Sequence, residues 1–209
     1  MSLGRSSTTA SHWGKMLAAK LQPGHSRQMR CPDCRLPAPQ CLCAEITRAP
    51  CEIEIIVLRH VLERERNSNT GSLVSRALQG ARLLEYASPE HGWDPQELCM
   101  PNTSLLYPKP GVSQPARLPS RLVILDATWP QARRMSQRIP ELRGMPTLAL
   151  PPPSQVLPRM RDGAAPEQMS TAESTVAALR LLGQDGPADH LERLLRELVR
   201  RFSLPQRRI

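Results

Sequence analysis

Aromatic residues make up only 3% of the 209-residue chain, with three Trp, two Tyr and one Phe. The core must therefore be built from Leu, Val, Ile and Ala. A single-strand RNA binder that stacks successive bases on aromatic rings, as OB folds and RRMs do, is excluded. No apolar run reaches eighteen residues, so no spanning helix and no membrane partner are expected. An apolar signal core is also missing near the N-terminus, which argues against secretion and for a cytoplasmic protein. Acidic residues are in deficit, 19 against 28 Lys and Arg, giving a formal net charge of +9 and a pI of about 10.0. That imbalance calls for a polyanionic partner. No internal repeat is visible. The 22 prolines cluster at 101–119, 140–166 and near the C-terminus, where long loops are expected.

The length suits one α/β domain with a small appendage. Residues 1–29 are basic, weakly periodic and rich in Ser, Thr and Gly, and read as a disordered leader with at most a short helix around Lys15 to Leu21. The centre of the chain is RLVILDATWPQARRM, Arg121 to Met135. Leu122, Val123, Ile124 and Leu125 form a β-branched apolar run typical of a strand buried on both faces. Asp126 closes it. Thr128 and Gln131 have the spacing of a capping box, Pro130 suits a first helical turn, and Arg133, Arg134 and Arg138 follow on the helix. An acid at the carboxyl end of such a strand either meets a ligand or satisfies backbone donors in the turn. Trp129 reads either as core or as a contact residue.

Cys31-Pro-Asp-Cys34 followed by Cys41-Leu-Cys43 places four thiols within thirteen residues. The first pair has the usual metal-knuckle spacing, the second is tighter, and together they suit a structural Zn²⁺ held by four thiolates; free thiols or a redox pair are the alternatives. Cys51 and Cys99 are isolated and read as small buried residues. Glu52 to Leu58 is the next strand. The loop after it carries His60, Glu63, Arg64, Arg66, Asn69 and Thr70, as an anion or RNA site or simply as a solvated loop. Thr70 is placed to cap a helix bearing Leu73, Val74, Ala77 and Leu78. Further strands are expected at Ala81 to Tyr86, Ser104 to Tyr107 and Thr147 to Leu150. Ser170 to Glu173 is a second capping box, in front of Val176, Ala177, Leu179, Leu181 and Leu182. The last helix is expected over Asp189 to Phe202, with Leu191, Leu194, Leu195, Leu198 and Val199 inward. Its Arg193, Arg196, Arg200 and Arg201, together with Arg207 and Arg208, are either an RNA-facing surface or a solvated face.

Taken in order, several of these stretches resemble one family, the DTW-domain proteins, bacterial tRNA-uridine aminocarboxypropyltransferases. The resemblance is carried by Cys31, Cys34, Pro37, Cys41 and Cys43, then His60, Glu63, Arg66 and Asn69-Thr70, then Leu105-Leu106-Tyr107-Pro108. Leu125-Asp126-Ala127-Thr128-Trp129 is the most specific element; Arg161 and Ser170-Thr171-x-Glu173 complete it. It spans about residues 30 to 183, with Val156 where the family carries an aromatic and Ser174 where it carries a small apolar residue. The resemblance implies an α/β fold with a mostly parallel sheet and flanking helices, SPOUT-like with a C-terminal knot. It implies a four-cysteine zinc knuckle at 30–50 and a catalytic domain at 51–209. The implied reaction moves the 3-amino-3-carboxypropyl group of S-adenosylmethionine to N3 of a tRNA uridine. Asp126, Thr128 and Trp129 would be catalytic, with Asp126 as base or orienting group. Arg66, Asn69, Thr70, Leu106, Tyr107, Pro108, Asp126, Arg161, Ser170, Thr171 and Glu173 would bind the donor, Arg66 or Arg161 taking its carboxylate. The alternatives are a SPOUT-type RNA methyltransferase and a non-catalytic zinc-knuckle RNA-binding protein. A monomer is expected.

Overall fold

The structure, a computed structural model, describes residues 30–90, 93–107, 117–152, 157–160 and 168–204. The leader, Pro108, Arg161, Arg207 and Arg208 lie outside the described residues. Five parallel strands form one sheet: β1 (Glu54–His60), β2 (Arg82–Tyr86), β3 (Thr103–Leu106), β4 (Arg121–Asp126) and β5 (Thr147–Leu148). Their order is β2-β1-β4-β3-β5. The helices are α1 (Gly71–Ala77), α2 (Trp129–Arg138), α3 (Pro140–Arg143), α4 (Thr171–Leu181) and α5 (Asp185–Phe202).

The central strands β1 and β4 lack polar alternation because both faces of the sheet are covered. Ile55, Val57, Leu122 and Ile124 share one core with Leu73, Val74 and Ala77 of α1, Val176 and Leu179 of α4 and the leucine stripe of α5. Ile56, Leu58, Leu105 and Val123 point the other way, against Met135 of α2, Ile139 and Leu142 of α3. The result is three layers around the sheet. Leu36 and Leu42 of the cysteine-bearing segment belong to the first core, so this segment is seated on the main domain.

Several boundaries differ from expectation. The last helix starts at Asp185, four residues early, because Pro187 fits a first helical turn, where its missing N–H costs nothing. β5 is only two residues long, and β1 runs on to His60. Of the two isolated cysteines, expected to be buried, Cys99 is exposed and Cys51 is half-buried, with its thiol donating to the Ile53 carbonyl at 3.1 Å.

At the sheet edge, Glu85 on β2 accepts from Arg59 of β1 (2.5 Å) and from Arg64 Nε (2.9 Å). Its carboxyl is held down at about 2, chiefly by the Arg64 hydrogen bond and also by Arg59, against burial that pushes it up. A carboxylate with a depressed folded value contributes stability above its usual 4.5 and loses it as pH falls towards 2. Glu85→Gln is therefore expected to flatten the fall of Tm between pH 4.5 and 2. Identical acid limbs in variant and parent would refute this.

Candidate active site

β1 connects to β2 on one side of the sheet, while β4 continues through α2 and α3 to β5 on the other. The carboxyl ends of the adjacent strands β1 and β4 therefore flank a topological switch point, where open α/β sheets form a ligand crevice. A cavity of about 960 Å³ opens there, at the upper end of the usual range for ligand pockets. Leu106, Ile124, Leu148 and Leu150 supply apolar wall.

Asp126, the last residue of β4, is buried in this wall, only 3% exposed. Its Oδ2 accepts from Asn69 Nδ2 and its Oδ1 from Thr171 Oγ1, each at 2.6 Å. Asn69 Oδ1 in turn accepts from the Gly71 backbone N–H at 3.2 Å, which fixes the orientation of its amide. Thr70 stands in front of α1, as expected, but makes no side-chain cap there. Its hydroxyl instead accepts from Ala172 N (3.0 Å), satisfying an N-terminal donor of α4. Two helix starts far apart in sequence are thus tied around one carboxylate. Gly71 makes this possible: a Cβ there would lie 2.3 Å from Asp126 Oδ2 and 2.6 Å from its Cγ.

Both expected capping boxes are present. Thr128 N and Oγ1 both donate to Gln131 Oε1, at 2.8 and 2.7 Å. Ser170 accepts from Glu173 N while Glu173 Oε2 accepts from Ser170 N. Trp129 is 45% exposed at the rim, its ring centroid 6.1 Å from that of Tyr107.

Three carboxylates line the cavity, Glu63, Asp126 and Glu173, each at most 4% exposed. Glu63 is paired with Arg66 Nε at 3.1 Å, and Glu173 with Arg159 Nε at 2.9 Å. Arg159 is the one arginine among the described lining residues, against these three carboxylates.

Asn69, Thr70, Leu106, Tyr107, Asp126, Thr128, Trp129, Ser170, Thr171 and Glu173 thus surround one cavity. Arg66 does not line it and reaches it only through Glu63. Sequence reasoning placed Glu63 in the polar loop and in the family resemblance without assigning it a role at the site, and assigned none to Arg159 or Gly71. Arg159 sits two positions from Arg161 in the same loop, and a glycine opening a helix beside Asn69-Thr70 was the available signal for a close approach.

The four cysteines form a second cluster. Cys31 Sγ lies 3.5 Å from Cys43 Sγ, Cys34 Sγ lies 3.8 Å from Cys41 Sγ, and all four sulfurs fall within 4.8 Å of one another. A tetrahedron with metal–sulfur bonds of about 2.3 Å has edges of about 3.8 Å, so the sulfurs are already spaced for one. Burial resists ionisation of Cys31, but N–H groups of Cys34 and Asp33 and the neighbouring thiols outweigh it and bring Cys31 down to about 7. Burial pushes Cys43 up to about 12 despite the Arg76 guanidinium, which donates to its sulfur at 2.8 Å. Burial thus opposes ionisation of Cys34 and Cys43, and a bound cation would favour it. Arg201 of α5 pins the same segment by donating to the Cys41 carbonyl (2.8 Å) and to Glu45.

The family model described as the DTW domain matches residues 28–203. Among curated proteins, tRNA-uridine aminocarboxypropyltransferase 2 of Drosophila melanogaster is 28% identical over 144 residues, 62% of this chain and 57% of that protein. The chain therefore spans little more than half the length of that relative. No solved structure matches it.

Proposed function

The chain belongs to the DTW-domain family, and on that premise we propose that it transfers the 3-amino-3-carboxypropyl group of S-adenosylmethionine to N3 of a tRNA uridine. The observation that carries this reading is Asp126, held by Asn69 and Thr171 in the wall of a cavity at the sheet's switch point. The donor's sulfonium makes the adjoining methionine carbon electrophilic: the N3–carbon bond forms as the carbon–sulfur bond breaks, and its electron pair leaves with methylthioadenosine. The chain has to supply orientation and a proton acceptor. The three carboxylates among the described lining residues would complement a sulfonium and an ammonium, and Arg159 would take the donor carboxylate. Asp126 is the group placed to take the N3 proton or to orient the imide. The apolar wall formed by Leu106, Ile124 and Leu148 excludes water from the sulfonium.

Cys31, Cys34, Cys41 and Cys43 fit a Zn²⁺ ion, and four protein ligands leave no open position, so the role is structural. Arg76 of α1 stabilises the thiolates from outside and also pairs with Asp33 at 3.7 Å. Arg76→Gln is expected to lower zinc retention against a chelator by roughly 10–100-fold, with Arg76→Lys between. Unchanged retention would remove Arg76 from this role, and protein purified without stoichiometric zinc would remove the metal. The wholly parallel sheet and its flanking helices support a SPOUT-like fold, and the C-terminal knot is part of the proposal, as are a monomeric state and a cytoplasmic location. No helix among the described residues is long and apolar enough to cross a membrane.

The test is nucleoside mass spectrometry after incubating the chain with S-adenosylmethionine and tRNA lacking the modification. The expected product is a uridine heavier by one aminocarboxypropyl group, with one methylthioadenosine released per transfer. A methylated uridine with S-adenosylhomocysteine would replace this reading with a methyltransferase. Bound but unaltered tRNA would replace it with an RNA-binding protein.

A further inference from the structure

The described residues carry 20 Arg against 17 Asp and Glu, so some of these cations have no acid partner among them. Three of the four arginines on the last helix are not among them. Arg196 pairs with Glu192, Arg200 and Arg201 with Glu197, and Arg201 also with Glu45. Arg180 at the end of α4 binds Asp189 and Glu192, and Arg193 meets His190 Nδ1 at 3.1 Å. The shallow groove along this face is lined by four arginines and four carboxylates, and so is formally neutral. The candidate RNA face on α5 is thereby largely cancelled by its own acids. Elsewhere Arg59 and Arg64 are committed to Glu85, and Arg82 and Arg121 to Glu54.

Helix α2 is different. Arg133, Arg134 and Arg138 are exposed and form no ion pair among the described residues. At about 100° per residue, Trp129, Arg133, Arg134 and Arg138 occupy roughly one half of the helix circumference. Ala132, Met135 and Ser136 occupy the other half and are buried. The helix also starts at the cavity. Thr128, Trp129, Pro130 and Ala132 line it, and Trp129 presents its half-exposed ring at the rim. With a rise of 1.5 Å per residue, Arg133 stands about 6 Å and Arg138 about 13.5 Å farther along the axis from Trp129. The unpaired guanidiniums therefore form a ridge running outward from the cavity mouth.

We propose that this outer face of α2 is the docking surface for the phosphate backbone that flanks the target nucleotide, with Arg133, Arg134 and Arg138 as its phosphate-binding residues. The proposal rests on the reading of RNA as substrate. Charge complementarity selects the partner, and the position beside the rim selects the part of it: phosphates next to a base splayed into the cavity. Such contacts position the strand and carry no sequence information. They are also read through salt, because each neutralised phosphate releases counterions and adds about 0.7–0.9 to the slope of log affinity against log salt.

The experiment compares three proteins binding bulk tRNA between 50 and 300 mM salt: the parent, Arg133→Gln/Arg134→Gln/Arg138→Gln, and a control, Arg193→Gln/Arg196→Gln/Arg200→Gln, on α5. The α2 variant is expected to bind about 10–100-fold more weakly at low salt, with a slope smaller by roughly 2–3. Its Tm and its binding of S-adenosylmethionine, read by equilibrium dialysis, should match the parent. The α5 control should change affinity by less than about threefold. A parent that binds and modifies tRNA while the α2 variant keeps the parental affinity and slope would overturn this inference alone, as would a larger loss in the α5 control. A parent that holds no tRNA at 50 mM salt would overturn the RNA-substrate reading itself.

Discussion

Gly71→Ala is expected to lower Tm by roughly 6–12 °C and to abolish activity, although the added group is one methyl. The new Cβ would sit 2.3, 2.6 and 3.1 Å from the Oδ2, Cγ and Oδ1 atoms of Asp126. These atoms are not the free end of a flexible chain. The carboxylate is short, starts from a central strand, and is held by Asn69 and Thr171 at 2.6 Å each. Relief requires either turning the carboxylate away, which breaks both hydrogen bonds, or lifting α1 off the sheet, which opens the packing of Leu73, Val74 and Ala77. Overpacking costs about 1–3 kcal/mol, and loss of a hydrogen bond to a charged group about 1.5–3 kcal/mol. A total near 3 kcal/mol corresponds to roughly 6–12 °C for a domain of this size. Gly186→Ala is the control. It lies in the first turn of α5 with nothing within 4 Å of a built Cβ, so its Tm should stay level or rise slightly. A Gly71→Ala protein with parental Tm and turnover would mean that the carboxylate does not occupy this place.

Much of the frame was legible in the sequence because it is written in local patterns. The run Leu122 to Leu125 states a doubly buried strand, and the pairs Thr128/Gln131 and Ser170/Glu173 state helix starts; the structure contains all three. The leucine stripe of the last helix was legible for the same reason, even though Gly186 and Pro187 obscured where the helix begins. The site itself is assembled across the sheet. Asn69 and Asp126 are 57 residues apart and Thr171 a further 45, and no periodicity relates them. The same holds for Thr70, which has the local spacing of a cap for α1 but serves α4. Glu63 reads as one polar residue in a polar loop; only the folded chain encloses it. The cancellation on α5 is partly a local fact that was available. Glu192 to Arg196 and Glu197 to Arg201 have i,i+4 spacing, an order of charges that favours pairing on a helix, and the arginines were read without their acids. The partners Asp189, Glu45 and Arg180 are tertiary and were not legible.

Asp126→Asn is expected to reduce kcat by about 10²–10⁴-fold while leaving a folded protein that still binds tRNA and donor. The substitution is well matched to the site. Asn69 has its carbonyl committed to the Gly71 N–H and must go on donating to position 126. Thr171 can rotate its hydroxyl from donor to acceptor. An asparagine at 126 therefore has one orientation in which its carbonyl faces Asn69 and its amide faces Thr171, so that both of these hydrogen bonds are kept. What it loses is the negative charge and the capacity to take a proton. Asn69 and Thr171 hold the carboxylate in place, so Thr171→Ala should cost less in turnover than Asp126→Asn. Alkaline pH separates a proton acceptor from an anchor. The imide of uridine ionises unaided as the solution becomes basic, so a variant lacking only its base regains turnover relative to the parent as pH rises. The decisive data are kcat for both proteins from pH 7 to 10. Full turnover of Asp126→Asn at pH 7 would remove Asp126 from the chemistry. A loss that alkali does not relieve, at parental Tm, would leave Asp126 as the residue that orients the uracil and pass proton removal to another group on the cavity wall, with Glu63 the first to replace.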